Sequence, residues 1–264
     1  AATLVIDPSI VFCSFSGSRG DNWGFTATPG PDGSLYAGGI VFGAGFPVSI
    51  GAFQVTFGDG VPDDAIGLPY DIGIIRFSPN GNLRLYATYL GGSGNEQPHS
   101  MICDENGNLV VAGRTNSPTV TRDRDLAFPV TRVPVGPNGG YDIFVTKLNA
   151  TGNALLGSLR MGGTLDDGVN IKGKYVNLNV PGQNEGAYDT RRNYGDDARS
   201  EVILDENNNI YLASCTQSIN DFPVSANAAQ PLFGGGGAFI KQDGIVAKFN
   251  SNLSAVIFST HFGG

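Results

Sequence analysis

The chain is poor in histidine, cysteine and cationic side chains. Of 264 residues only His99 and His261 are histidines and three are cysteines, and 16 Lys and Arg stand against 24 Asp and Glu for a net charge of −8. The acidic balance is scattered along the chain and opposes nucleic acid and anionic lipid, so neither is an expected partner. No apolar run approaches the roughly 20 residues of a membrane-spanning helix, which excludes helical insertion into a membrane. No window repeats apolar residues at helical spacing over a dozen positions, and the best candidates are broken by Gly, Asn or Pro, so long helices are not expected. The start, Ala1-Ala2-Thr3, carries neither an initiator Met nor a charged-then-apolar signal segment, and the chain reads as mature or excised. Cys13, Cys103 and Cys215 are odd in number, far apart and set in apolar strand-like runs, the pattern of buried thiols rather than of a disulfide framework.

What the chain has is 39 Gly, 15 Pro, 16 Phe and 9 Tyr, the composition of short aromatic strands joined by tight turns. One strand pattern occurs four times, at Val11–Gly17, Leu85–Gly92, Leu156–Gly163 and Ile257–Gly264, each copy ending in glycine. Three further patterns follow in fixed order. A hairpin comes first, at Pro31–Gly39, Asp104–Gly113 and Asp205–Ser214, with Asn and Gly suited to its turn. Phe-Pro-Val follows at residues 46–48, 128–130 and 222–224, where the proline rules out a central strand and implies an extended loop. A last strand opens on Asp71, Asp142 or Asp243.

Strands near Met101, Leu109, Phe144 and Leu156 make each unit a four-stranded antiparallel meander, the form of a propeller blade. Such a meander buries its faces only by stacking on neighbours around a shared axis. The expected fold is therefore all-β: a β-propeller with three complete blades, at about 20–91, 92–162 and 163–264, plus a leading strand. Residues 1–10, ahead of the first repeat pattern, are expected to be the end of a preceding domain or a linker. Closed propellers take about four to eight blades, so either more blades lie beyond Gly264 or a partner closes the ring, and part of a larger propeller is the expected case. The glycine pairs begin 71 residues apart from Gly91 to Gly162 and 101 apart from Gly162 to Gly263. The surplus is one insertion at 164–198, and insertions in repeat folds map to loops that often bind.

Tyr86–Gly92, Asp104–Thr115, Phe-Pro-Val and Asp142–Asn149 together resemble the SBBP family of β-propeller repeats over nearly the whole chain. The resemblance implies a setting in large secreted or surface-exposed bacterial proteins, including adhesin-like, gliding-motility-associated proteins exported by the type IX system. It supplies no ligand and no catalytic residue. The third copy departs from the pattern, with Gly157-Ser158-Leu159-Arg160 in place of Tyr-Ala-Thr-Tyr.

Few residues point to chemistry. Gly168–Tyr175 nearly spells a phosphate-binding loop, but Tyr175 stands where Ser or Thr must meet Mg²⁺ and no helix follows. The runs at Asp104–Asn108 and Asp205–Asn209 offer oxygen ligands to Ca²⁺, yet turn chemistry accounts for them more simply. Asp166-Asp167 and Asp196-Asp197, flanking the insertion, are the better calcium candidates, since a loop can bring them together. His99 and His261 lack a nucleophile at diagnostic spacing, and there is neither a zinc-binding His-Glu-x-x-His nor a Gly-x-Ser-x-Gly elbow. Asp71, Asp142 and Asp243 recur in every blade and read as structural strand starts. Trp23, Tyr70, Tyr141, Tyr188 and Tyr194 lie near turns or the insertion, where aromatics stack on sugars or anchor partners. Asn149-Ala150-Thr151 and Asn252-Leu253-Ser254 read as turn sequences rather than glycosylation sites, given the bacterial setting that the resemblance implies.

The expected function is non-catalytic: a binding or scaffolding module on the bacterial cell surface, without catalytic, cofactor or metal residues, joined to other domains of a long chain. Asp166, Asp167, Tyr175, Tyr188, Tyr194, Asp196 and Asp197 are the candidate contacts for a surface glycan or protein. The alternative is a polysaccharide-acting glycoside hydrolase or lyase, which requires two carboxylates facing each other across a polar cleft.

Overall fold

The structure, a computed structural model, describes residues 9–62, 67–118, 120, 126–169, 200–235 and 241–263. Within them the fold is all-β, three four-stranded antiparallel sheets without helices. The first sheet comprises β1 (Asn22–Pro29), β2 (Leu35–Val41), β3 (Asp71–Phe77) and β4 (Arg84–Leu90). The second comprises β5 (Glu96–Cys103), β6 (Leu109–Thr115), β7 (Asp142–Leu148) and β8 (Leu155–Met161). The third comprises β9 (Ser200–Leu204), β10 (Ile210–Thr216), β11 (Asp243–Phe249) and β12 (Val256–Phe262). Each sheet runs in chain order, the arrangement of a propeller blade, and no sheet closes on itself.

The register repeats as faithfully as the sequence. Asp71 pairs with Val41, Asp142 with Thr115 and Asp243 with Thr216, each at the same end of its central hairpin. β5 packs beside β1 and β9 beside β5, so the first strands stand side by side. Apolar faces meet between the sheets. Tyr36, Ile72, Ile74 and Tyr86 of the first sheet share a core with Met101, Leu109, Val111 and Phe144 of the second. Val110, Ile143, Val145 and Leu159 share another with Leu212, Ile245 and Phe249 of the third. One sheet cannot bury both faces alone, and these joints supply the missing cover.

The Phe-Pro-Val loops are plugs. Phe46, Phe128 and Phe222 are buried although no strand holds them. Phe46 lies against Gly73, where an added Cβ would be 2.7 Å from the ring, and Phe128 stacks on Phe144 with centroids 4.8 Å apart. The hairpin turns also share one backbone shape, with a positive φ at Gly33 (79°), Gly107 (80°) and Asn208 (59°). Asparagine substitutes for glycine there because its short polar side chain tolerates the left-handed region.

Two expectations need correction. Val11–Gly17 joins no ladder, because a fourth strand pairs only with the third strand of its own blade and no described residue supplies one. As a consequence, Cys13 is exposed, while Cys103 is half-buried and Cys215 buried; all three are free thiols.

Candidate functional site

The aspartates of the hairpin turns are occupied by the turns themselves. Asp104 Oδ1 accepts the N–H groups of Asn106 and Asn108, both at 2.9 Å, and Asp205 Oδ1 accepts those of Asn207 and Asn209 at 3.0 and 2.8 Å. The third strand of each sheet then contributes a cation. Arg76 pairs with Asp32 at 2.8 Å, Lys147 with Asp104 at 2.9 Å and Lys248 with Asp205 at 3.1 Å. Hydrogen bonding from Asn209 and Lys248 holds Asp205 well below the usual carboxylate range, and for Asp104 the bonds from Asn108 and Lys147 outweigh burial and lower it too. A carboxylate already holding amides and an ammonium is a poor calcium ligand. Chelator is therefore expected to leave the melting midpoint unchanged to within about 1 °C, as no ligand-linked stabilisation is removed. A drop of several degrees, reversed by added Ca²⁺, would show that these turns or the insertion hold the ion.

The other repeated carboxyls are buried at the blade junctions. Asp71, Asp142 and Asp243 each open a third strand and fix the loop before it: Asp71 accepts Gly58 N–H at 2.7 Å and Asp243 accepts Gly234 N–H at 2.6 Å. The fourth strand places a different residue at each position, and two of the three face the carboxyl. Arg160 forms a buried ion pair with Asp142, and His261 Nδ1 stands 3.8 Å from Asp243, whereas Tyr89 turns its hydroxyl to the Gly43 carbonyl. The departure of the third repeat copy at Arg160 thus puts a cation beside a carboxyl that burial alone would leave uncompensated.

A second carboxyl stands at each of two junctions. Glu96, wholly buried, accepts hydroxyl bonds from Thr115 (2.5 Å) and Ser117 (2.6 Å) and the N–H of Gly92 (3.0 Å). Asp167 repeats the set with Thr216, Ser218 (3.1 Å) and the N–H of Gly163 (2.6 Å). Burial pushes Glu96 up, and burial with the charge of Glu96 pushes Asp71 up to about 9. No donor reaches Asp71 Oδ1 among the described residues, and the charge of the neighbouring Glu96 carboxyl disfavours ionisation of Asp71. Asp142 is pushed to about 7 by burial and by Asp167 despite Arg160, and Asp167 to about 6 by burial against its hydrogen bonds. Asp71 and Glu96 are two paired carboxyls, but they touch each other inside a joint rather than flank a cleft wide enough for a glycosidic bond.

The insertion springs from one such joint. Asp166 accepts the Tyr141 N–H at 2.9 Å and Asp167 is fully buried, so both candidate contacts serve as the root of the insertion. Val169 accepts a bond from Gln217 Nε2 at 3.1 Å. The other candidates, Tyr175, Tyr188, Tyr194, Asp196 and Asp197, lie outside the described residues, as does most of the near phosphate-loop sequence. An aromatic row runs up to this root. Trp23 meets Phe42 edge-on at 4.9 Å and Phe42 meets Tyr70 at 6.0 Å; the Tyr70 and Tyr141 hydroxyls are 3.5 Å apart, with the Arg114 guanidinium 4.5 Å over the Tyr141 ring. His99 Nδ1 lies 3.0 Å from Ser200 Oγ, where the chain returns from the insertion. On the first sheet a cavity of about 550 Å³ is lined by Phe42, Phe46, Phe57, Tyr89 and Asp59.

Sheets of this form, strand order and repeated junction define a propeller-type chain. Residues 85–118 match SBBP, a beta-propeller repeat. The matched stretch runs from β4 through β6 and includes Glu96, Thr115 and Ser117, the junction described above. No curated protein matches the chain. The sequence patterns single out neither Glu96 nor Arg114 as a site residue, and they mark Arg160 only as a departure from the repeat. A signal for the first was present: Thr115-Asn116-Ser117 and Thr216-Gln217-Ser218 follow corresponding strands, and such a pair of hydroxyls at the end of a buried strand needs an acceptor.

Proposed function

We propose that the chain is a non-catalytic module of a large secreted or cell-surface bacterial protein, in which stacked SBBP-type blades form a rigid platform and the 164–198 insertion makes contact with a surface glycan or protein. Adhesion or gliding-type surface interaction is the role such a module serves, beside other domains of the same long chain. The observation that carries this reading is how the repeated ionisable groups are used. Asp32, Asp104 and Asp205 are bound to cations, and Glu96 and Asp167 to hydroxyls, all inside the framework. The insertion is anchored on that framework next to aromatic rings and Arg114, groups that stack on sugars and protein side chains.

Replacing residues 170–199 by a short Gly-Ser loop is expected to abolish binding on an array of bacterial surface polysaccharides while leaving the melting midpoint within about 2 °C, since loop length costs stability only logarithmically. Binding that survives the replacement would move the contact region elsewhere. Release of reducing ends from any polysaccharide on the array would overturn the non-catalytic reading in favour of a glycosidase.

A further inference from the structure

The loop from β2 to β3 departs from its counterparts in the other two sheets. It runs from the plug at Phe46 to Asp71, against Phe128 to Asp142 and Phe222 to Asp243, and is the longest of the three. Strand register places Tyr89 where Arg160 and His261 stand, and puts Phe42 where Asn116 and Gln217 stand. In the other sheets the fourth-strand position carries a basic side chain of the protein itself. Arg160 pairs with Asp142, and His261 lies beside the Phe222 and Phe233 rings at 5.9 and 5.8 Å. The first sheet keeps the rings without the basic group: Phe46 and Phe57 stand 5.5 and 6.0 Å from Tyr89. The Tyr89 hydroxyl donates to the Gly43 carbonyl and accepts the Phe46 N–H, both at 3.1 Å, which fixes the ring. These rings and Phe42 line the cavity of about 550 Å³, a volume within the roughly 300–1,000 Å³ of small-molecule sites. A carboxylate is added at the same place. The residue after the glycine whose N–H meets the strand-opening aspartate is Gly140 in the second sheet and Gly235 in the third, but Asp59 in the first.

Asp59 is the sole charged side chain in the lining, and its backbone is held in a strained shape. Its φ is 52°, in the left-handed region that costs a non-glycine residue energy and that clusters at ligand clamps. The residues on either side are pinned: the Gly58 N–H donates to Asp71 at 2.7 Å, and a Cβ on Gly58 or Gly60 would run into the backbone of Gly92 or Ser93 of the next blade. Among the described residues no cation pairs with Asp59, which is exposed. We propose that this cavity binds a small quaternary ammonium compound of the choline type, with its methyl groups against Phe42, Phe57 and Tyr89 and its charge toward Asp59. Aromatic faces attract a cation, most strongly where water is excluded. The supply of acceptors selects the kind of cation. A primary ammonium brings three N–H donors and a guanidinium five, whereas a quaternary ammonium brings none. The lining carbonyls are already engaged, Gly43 by Tyr89, Gly45 by the Arg19 N–H at 3.1 Å and Thr56 by Gln54 Nε2 at 3.0 Å. The site belongs to the first sheet and does not depend on the insertion, so its test and that of the loop replacement fail separately.

Calorimetric titration of the full chain with tetramethylammonium and with choline tests the proposal. Both are expected to bind, and the neutral tert-butyl analogue of choline, which fills the same space without the charge, is expected to bind about 10-fold more weakly or worse. Asp59→Gly installs the residue that the other two sheets carry and relieves the left-handed backbone, so the melting midpoint is expected to hold or rise. The same variant is expected to weaken choline binding by about 10-fold. Phe57→Leu keeps an apolar wall without the ring face and is expected to weaken tetramethylammonium by a comparable factor. Absence of binding heat with either ion up to tens of millimolar overturns the proposal. Equal affinity for the neutral analogue overturns it too, since the cavity would then select shape alone. Tighter binding of butylammonium or butylguanidinium than of tetramethylammonium, or choline affinity unchanged in Asp59→Gly, does the same.

Discussion

Phe144→Ala is expected to lower the free energy of unfolding by about 3–5 kcal/mol, the range for removing a fully buried ring. The side chain is completely inaccessible and lies in the core that the first and second sheets share. Phe128 covers one face, with its centroid 4.8 Å away, and Gly113 of β6 leaves room for the edge: a Cβ there would lie 2.7 Å from Phe144 Cε1. Neither neighbour can move in to fill the space. Phe128 is held by its backbone, whose N–H donates to the Pro118 carbonyl at 3.0 Å, and Gly113 has no side chain to offer. Denaturant titration checks the value, with an unchanged slope marking loss of stability rather than a changed unfolded state. Phe262→Ala, at 74% exposure on β12, serves as the contrast and is expected to change stability by no more than about 0.5 kcal/mol. Equal effects from the two would mean that the joint between sheets is not where stability resides.

Raising the pH from 5 to 9.5 is expected to lower the melting midpoint by roughly 5 °C or more, about 2 kcal/mol for a chain of this size. Asp71 is held at about 9 and Asp142 at about 7, both above the ordinary carboxylate value of 3.8. The folded chain therefore keeps protons that the unfolded chain releases near pH 4, and stability falls as pH rises through 7 and 9. The contribution is complete only below the unfolded pKa. Asp104 and Asp205, shifted downward, act in the opposite sense and lose their contribution as pH falls below about 4. Stability is thus greatest in mild acid. Glu96→Gln removes the like charge while its amide can still meet Asp71 and the hydroxyls of Thr115 and Ser117. The alkaline part of the fall should shrink in this variant, and a slope identical to that of the parent would show that the like charge of Glu96 does not control it.

The repeat and its four-strand order were legible because each blade folds from consecutive residues: period-2 strands, Asn- and Gly-bearing turns and a buried Phe-Pro-Val plug all lie within one copy. The turn aspartates were legible for the same reason, since Asp104 finds its amides two and four residues away. What escaped the sequence lies between copies. Asp71 and Glu96 are 25 positions apart, and their pairing depends on one blade's third strand starting beside the start of the next blade's first. Nothing in the residue types distinguishes that joint from a cleft with two catalytic acids; only burial and the hydroxyl ligands do.

The sequence by itself determined the all-β class and the succession of three four-stranded units, because these rest on local hydrogen bonding and periodicity. Tertiary structure alone decided which carboxyls burial pushes upward, which departure from the repeat is compensated, as at Arg160, and that the leading strand pattern at 11–17 is seated against Gly81 without a ladder. Those outcomes depend on desolvation and on cover supplied by a neighbouring blade, quantities that belong to the stack and not to any single repeat.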